Sequence, residues 1–344
     1  MAGKASDPVS LECEYMNSFR SSARLGTAQS NTNTELRRRR VWKSEKYVPI
    51  LMLLPSLAAI AIFVYGFIAW TGYVSLTQWN TLVKNLTFAG FSNYQFLFND
   101  FRFQSDFRNT IVFTALFIAG GMIIGLFLAV MVDRKVRGEA FFRNIFVFPM
   151  ALSFIVTGVV WQWILNPTTG INLLLKSLGV SNVPSWFVST EIVPKIHFGQ
   201  IDIGIPVAII AVAIAAIWQM SGFAMAMYLA GLRGISEDLR EAARVDGATE
   251  WQVLRKVILP QLKPITMSLI IILAHISLKI FDLVYAMTGP GAMFVTDVPG
   301  VYMFETTFRG NHYAQGAGIA MIMLLLVSFL IVPYLILNMR KEES

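Results

Sequence analysis

Apolar side chains along this chain run in long blocks instead of alternating with polar ones. Six blocks, near residues 48–70, 110–132, 144–166, 205–230, 265–287 and 314–338, carry few or no charges. About 20 residues of helix cross a bilayer, so each block is long enough to span. None has the period-two pattern of a barrel strand, and six transmembrane helices are predicted. Pro55, Gly120, Gly121, Gly125, Pro149, Gly222 and Pro333 fall inside the blocks. Membrane helices tolerate such residues because neighbouring helices re-satisfy the freed backbone groups. Within 167–204, the piece GINLLLKSLG followed by VPSWF is too short to span. It reads as an interfacial helix with an aromatic anchor.

Composition agrees with lipid as the solvent. Of 344 residues, 55% are hydrophobic and 14% charged, where a soluble domain has about a quarter charged. The net charge of +7 raises nucleic acid as a partner. The basic residues are dispersed at block ends, however, which fits membrane orientation better than a phosphate-binding face. Eighteen Lys and Arg lie in 37–46, 134–143, 233–263 and 340–341, against six on the other side: Lys84, Arg102, Arg108, Lys176, Lys195 and Arg309. Both termini and the 233–263 loop are therefore predicted to be cytoplasmic. Residues 1–46 read as a disordered basic tail ahead of a membrane domain over 47–340. Its RRRR run at 37–40 suits a topology determinant or a lipid-binding patch.

Several chemistries are excluded. Cys13 is the only cysteine, so neither an internal disulfide nor a Cys-based metal site is expected. The sequence has no G-x-x-x-x-G-K-S/T phosphate loop, no HExxH and no G-x-S-x-G, so no ATPase or hydrolase site of its own is expected. His197, His275 and His312 are scattered, and no catalytic constellation or metal centre is predicted.

One interior stretch breaks the apolar pattern. EAARVDGATEWQVLRKVILP, 241–260, carries six charges in twenty residues. Ser236 is a good N-cap, and Glu237 and Asp238 put negative charge in a first turn. That helix is predicted to run to about Asp246 and stop at Gly247, which accepts the left-handed conformation. Thr249 with Gln252 then forms a capping box for a second helix, closed by Pro260, while Pro264 launches the fifth span. Two short helices hinged at Gly247, nearly perpendicular to the spans, would make a solid knob suited to docking a cytoplasmic protein.

Glu241-Ala242-Ala243, then Gly247 after three residues, then Val257-Ile258-Leu259-Pro260 after nine more, resembles the EAA loop of ABC-importer permeases. WQMSGFAMAMYLAGLRGISEDL (218–239), DGATEWQ (246–252), FAGFSNYQFLF (88–98), FRNT (107–110) and FDLVYAMTGPG (281–291) are similar to the carbohydrate subgroup, and most to the first permease subunit of maltose-type transporters. The likeness covers roughly 47–340. Two departures, Ser236 for a frequent Pro and Val257 for a usual Ile, are conservative.

The resemblance implies a type I importer permease fold in a bacterial or archaeal cell membrane. It implies a second permease subunit, two cytoplasmic ATPase subunits that hydrolyse ATP, and an extracytoplasmic sugar-binding protein, with no cofactor on this chain. It assigns ATPase coupling to Glu241, Ala242, Ala243, Asp246, Gly247, Leu259 and Pro260. His275, Lys279 and Asp282, at i, i+4 and i+7 with Ser268 behind them, would share one face of the fifth helix. Ionisable groups at membrane depth face a wet cavity or a partner, so they either line a sugar path or form a structural Lys279–Asp282 pair. Phe281 and Tyr285 read as packing residues before sugar platforms, although Tyr285 joins the path candidates, as does Gln219 in the fourth block, with Trp218, Ser221 and Met225 beside it. Rival readings are the same machine importing a glycerol phosphoester or polyol, or an ATP-independent channel or secondary transporter.

Overall fold

The computed structural model describes residues 50–133 and 138–342; the 1–46 tail, Cys13 and the 37–40 run lie outside them. Two units divide between Ala69 and Trp70. In the first, residues 50–69 belong to α1 (Ile50–Ser75), a long apolar helix with one π turn at Ala61–Gly66.

The second unit is built on two long helices, α3 (Phe101–Asp133) and α7 (Val207–Arg233). Between membrane helices there is little hydrophobic drive, so close approach through small residues decides the packing. Here Ala211, Ala215, Ala216 and Ala224 of α7 are buried. A Cβ on Gly125 of α3 would lie 2.4 Å from the Ala224 Cβ, and one on Gly222 would lie 1.9 Å from the Phe146 carbonyl oxygen. Phe113 and Phe117 stack with centroids 5.5 Å apart in a core that includes Ile209, Met225, Leu269 and Leu283. Thr114 donates to Ser277 at 2.9 Å, a polar bond of the kind that joins helices in lipid.

The third predicted block is a bent pair. α4 with its 3-10 end (Glu139–Ala151) meets α5 (Phe154–Ile164) at 100°, with Pro149 in the turn before the break. The fifth block also differs from expectation. α9 (Glu250–Gln261) meets α10 (Lys263–Leu278) at 67°, and α10 ends nine residues before the predicted limit. A short α11 (Asp282–Met287) follows. The Ile280 carbonyl in this gap faces Gly300, whose Cβ would lie 3.2 Å away; broken backbone at membrane depth persists where protein fills the break. The sixth block is α13 (Tyr313–Glu342). α6 (Gly170–Ser177) matches the expected short helix, with Trp186 donating to Asn172 at 2.7 Å.

A two-stranded sheet was not expected. β1 (Ile192–Phe198) pairs antiparallel with β2 (Ile201–Pro206), so α7 starts only at Val207. Nearby, α2 (Ser92–Asn99) is pinned by buried Asn93, which donates to the Ser75 and Thr77 carbonyls at 2.9 and 2.8 Å and accepts from Asn80.

Candidate functional site

The coupling loop folds as its local signals dictate. α8 (Glu237–Val245) has Glu237 and Asp238 in its first turn, although Ser236 makes no side-chain cap bond. Gly247 has φ +82° with nothing within 4 Å of a would-be Cβ, so only backbone conformation demands glycine there. Thr249 and Gln252 form the capping box. Pro260 does not close the second helix, which continues to Gln261. A π turn at Leu254–Ile258 precedes it, the kind of register change that accommodates a helical proline.

α8 leaves most of its side chains exposed. Glu241, Ala242, Asp246 and Gly247 are exposed, as is Pro260, while Ala243 and Leu259 are half-buried. Leu239, Val245 (87%) and Trp251 (66%) also present apolar surface. What holds this surface on the helices is a residue that pattern reading missed. Arg240 pairs with Asp133, the last residue of α3, at 2.7 Å and donates to the Leu232 carbonyl of α7 at 2.6 Å. Both side chains are largely buried, 11% and 17% exposed. Arg244 joins α8 to α9 through Glu250 at 2.8 Å, and Arg233 pairs with Glu139. Around Arg240, Asp133, Glu237, Glu250 and Trp251 lies a cavity of about 500 Å³.

The path candidates are not brought onto one stripe. α10 ends at Leu278 with Lys279 as its cap, so the i, i+4, i+7 register stops there. Lys279 and Asp282 are exposed and, among the described ion pairs, do not pair with each other; the structural-pair expectation is corrected. Ser268 contacts the Tyr334 hydroxyl at 3.1 Å, bonding α10 to α13. Gln219 is buried and donates to Leu152 at the α4–α5 bend at 2.7 Å, while its Oε1 and the Nδ1 of His275 are buried without partners. Met225 is core. Trp218 packs edge-on against Trp161 at 5.8 Å, and Ser221 donates to the Trp218 carbonyl. The Tyr285 hydroxyl accepts from Arg309 at 2.6 Å.

The opposite end of α3, roughly 48 Å from Asp133 at 1.5 Å per residue, carries a buried polar network. Arg102 bridges Asp297 at 2.6 Å and Glu305 at 2.7 Å. Asn109, in the FRNT stretch, donates to the Phe294 and Asp297 carbonyls, and Arg108 donates to the Asp202 carbonyl on β2. Burial pushes the Asp297 carboxyl up to about 6 against the pull of Arg102.

Four helices long and apolar enough to cross a membrane and two bent pairs, with a charged helical knob between α7 and α10, fit the membrane subunit of a transporter. The chain belongs to the family of binding-protein-dependent transport system inner membrane components, matched over residues 121–341. A probable ABC transporter permease of Pyrococcus horikoshii is 38% identical, over 86% of this chain and 96% of its own. The xylose/arabinose import permease XacH of Haloferax volcanii is 32% identical, over 85% and 87%. The fold matches that of a bacterial alginate ABC transporter crystallised with an alginate pentasaccharide-bound periplasmic protein, with a TM-score of 0.69 at 22% identity, over 85% of this chain and 95% of that one. The type I importer permease fold and the ABC-permease class are thus as the sequence predicted, and the chain is an inner membrane component with several spanning helices.

Proposed function

We propose that this chain forms, with a second permease subunit, the translocation path of an ATP-driven sugar importer, and that α8 docks two cytoplasmic ATPase subunits. A sugar-loaded extracytoplasmic protein delivers the substrate, ATP is bound and hydrolysed by the partners alone, and both termini face the cytoplasm. The observation that carries this reading is the knob itself. A charged helix with most of its side chains exposed, bearing Leu239 and Val245 outward with Trp251 beside them on α9, is costly surface unless something covers it. The largely buried Arg240–Asp133 pair links it directly to a spanning helix, so force on the knob reaches the membrane domain. A channel or secondary transporter has no use for such a joint. Glu241, Ala242, Ala243, Asp246, Gly247, Leu259 and Pro260 are assigned to this contact. The partnerless Gln219 Oε1 and His275 Nδ1, with Lys279, Asp282 and Tyr285, are assigned to the path. Sugar as the substrate is supported by the xylose/arabinose permease relative.

The test is co-purification of the chain with its partners, followed by ATPase assays with the binding protein and a panel of sugars, glycerol 3-phosphate and sorbitol. Stimulation by one or more sugars is expected. Stimulation only by the phosphoester or polyol would move the substrate class, and uptake without any associated ATPase would overturn the reading.

A further inference from the structure

Four aromatic rings follow one another across the segment after α10. Phe281 stacks on Tyr285 with centroids 5.2 Å apart and an 18° interplanar angle. Both meet Phe304, at 5.4 and 5.5 Å, and Phe304 meets Phe308 at 5.4 Å. Phe304 ends α12 (Pro299–Phe304), and Phe308 lies in the π turn Glu305–Arg309 that follows. π turns inside helices occur frequently at functional sites. The ladder is rooted in the core through Phe281 and Tyr285, and its last ring, Phe308, is 68% exposed.

The edges of the ladder are charged. Arg309 donates to the Tyr285 hydroxyl at 2.6 Å and to Glu305 at 3.3 Å, and its guanidinium sits 5.7 Å from the Tyr285 ring. Two of its five N–H donors are thereby engaged, which orients the others toward solvent. Exposed Asp282 starts α11 beside Phe281, and exposed Lys279 precedes them. Charged groups at this edge favour water or protein over hydrocarbon as the neighbour. An interfacial aromatic belt, for its part, consists of separate Trp and Tyr anchors, not four rings in mutual contact.

An aromatic face bordered by fixed donors and acceptors of both signs matches one ligand chemistry. A pyranose ring offers an apolar C–H face to the rings and equatorial hydroxyls to the charged edge. A glycerol phosphoester has no such face, and the mixed edge charges favour neither net anions nor net cations. We infer that Phe281, Tyr285, Phe304 and Phe308, with Arg309 and Asp282, form a ring-stacking platform that receives the sugar before it moves deeper along the path. This rests on the sugar-importer reading above and deepens it by placing the receiving residues.

The complex reconstituted in vesicles with its binding protein would be assayed for uptake of xylose, glucose, maltose and trehalose, the best wild-type substrate serving as probe. Phe308→Leu keeps apolar volume but removes the ring, and Phe308→Trp keeps a ring. A platform that retains the delivered sugar predicts that Phe308→Leu lowers uptake per ATP hydrolysed about tenfold, in line with aromatic stacking energies. Co-purification should be unchanged, and Phe308→Trp should retain at least half of the wild-type uptake. Normal uptake per ATP in Phe308→Leu would overturn the platform alone. Loss of co-purification would instead make the ladder a subunit contact and also overturn it. A wild type that moves none of the four sugars would overturn the sugar reading and the platform together.

Discussion

The two ends of α3 are fastened in opposite ways. At Arg102 the neighbouring segments are tied by several buried bonds: Arg102 to Asp297 and Glu305, Asn109 to two carbonyls, and Arg108 to β2. At Asp133 the coupling helix is held to α3 by one largely buried pair, Arg240–Asp133, with one exposed pair, Arg244–Glu250, tying α8 to α9. Exposed ion pairs contribute little, because solvent and salt screen them. The first end is built as a fixed frame and the second as a lever gripped chiefly through Arg240, on Asp133 and on the Leu232 carbonyl.

That contrast breaks most sharply at the frame. Arg102→Ala leaves the fully buried Asp297 without its cation and should cost about 3 kcal/mol, read as a lower Tm of the detergent-purified complex. Pairing Arg102→Met with Asp297→Asn should recover most of that loss. Equal Tm values for the single variant and the wild type would show that the network does not brace this end.

Arg240→Ala should cost less in stability, about 2 kcal/mol for a pair between buried and exposed extremes, but more in function. Permease pairing should survive while ATPase stimulation by the binding protein drops several-fold, as hydrolysis assays with purified subunits would report. Arg240→Lys retains charge but not the two-point grip on Asp133 and Leu232, and should fall between.

The smallest effect is pH-dependent. The folded pKa of Asp297 lies near 6, above the ordinary carboxylate value of about 3.9. Its favourable contribution is therefore complete below pH 3.9 and is lost as pH rises through 6. The Tm of the wild type relative to Asp297→Asn should accordingly rise by about 3 °C from pH 7.5 to pH 5. A flat difference would mean that Asp297 stays ionised throughout.

Much of this architecture is legible in one sequence because its causes are local. Block length sets the spanning helices, and Gly247 and the Thr249–Gln252 box set the knob. What escapes reading depends on distant partners. Arg240 and Asp133 are 107 positions apart, and on a charged helix Arg240 looks like any other surface cation. α10 ends at Leu278, just before the Ile280 carbonyl that faces Gly300, and this distant contact breaks the helical stripe expected through Lys279 and Asp282. The β1–β2 hairpin did carry a signal: apolar residues at Ile201, Ile203 and Ile205 alternate after a Gly199-Gln200 turn. The long apolar block that follows absorbed it.

The central claim is that α8 and its Gly247 hinge transmit ATPase motion to the membrane helices. Its most direct test is uptake together with binding-protein-stimulated hydrolysis in vesicles for Gly247→Val and Glu241→Lys. Valine at φ +82° is strained by about 1–2 kcal/mol in that turn alone, and a reversed charge at exposed Glu241 acts only on what docks there. Both variants should insert and pair with the second permease yet lose stimulated hydrolysis or its link to uptake. Full hydrolysis and full uptake in both would contradict the account.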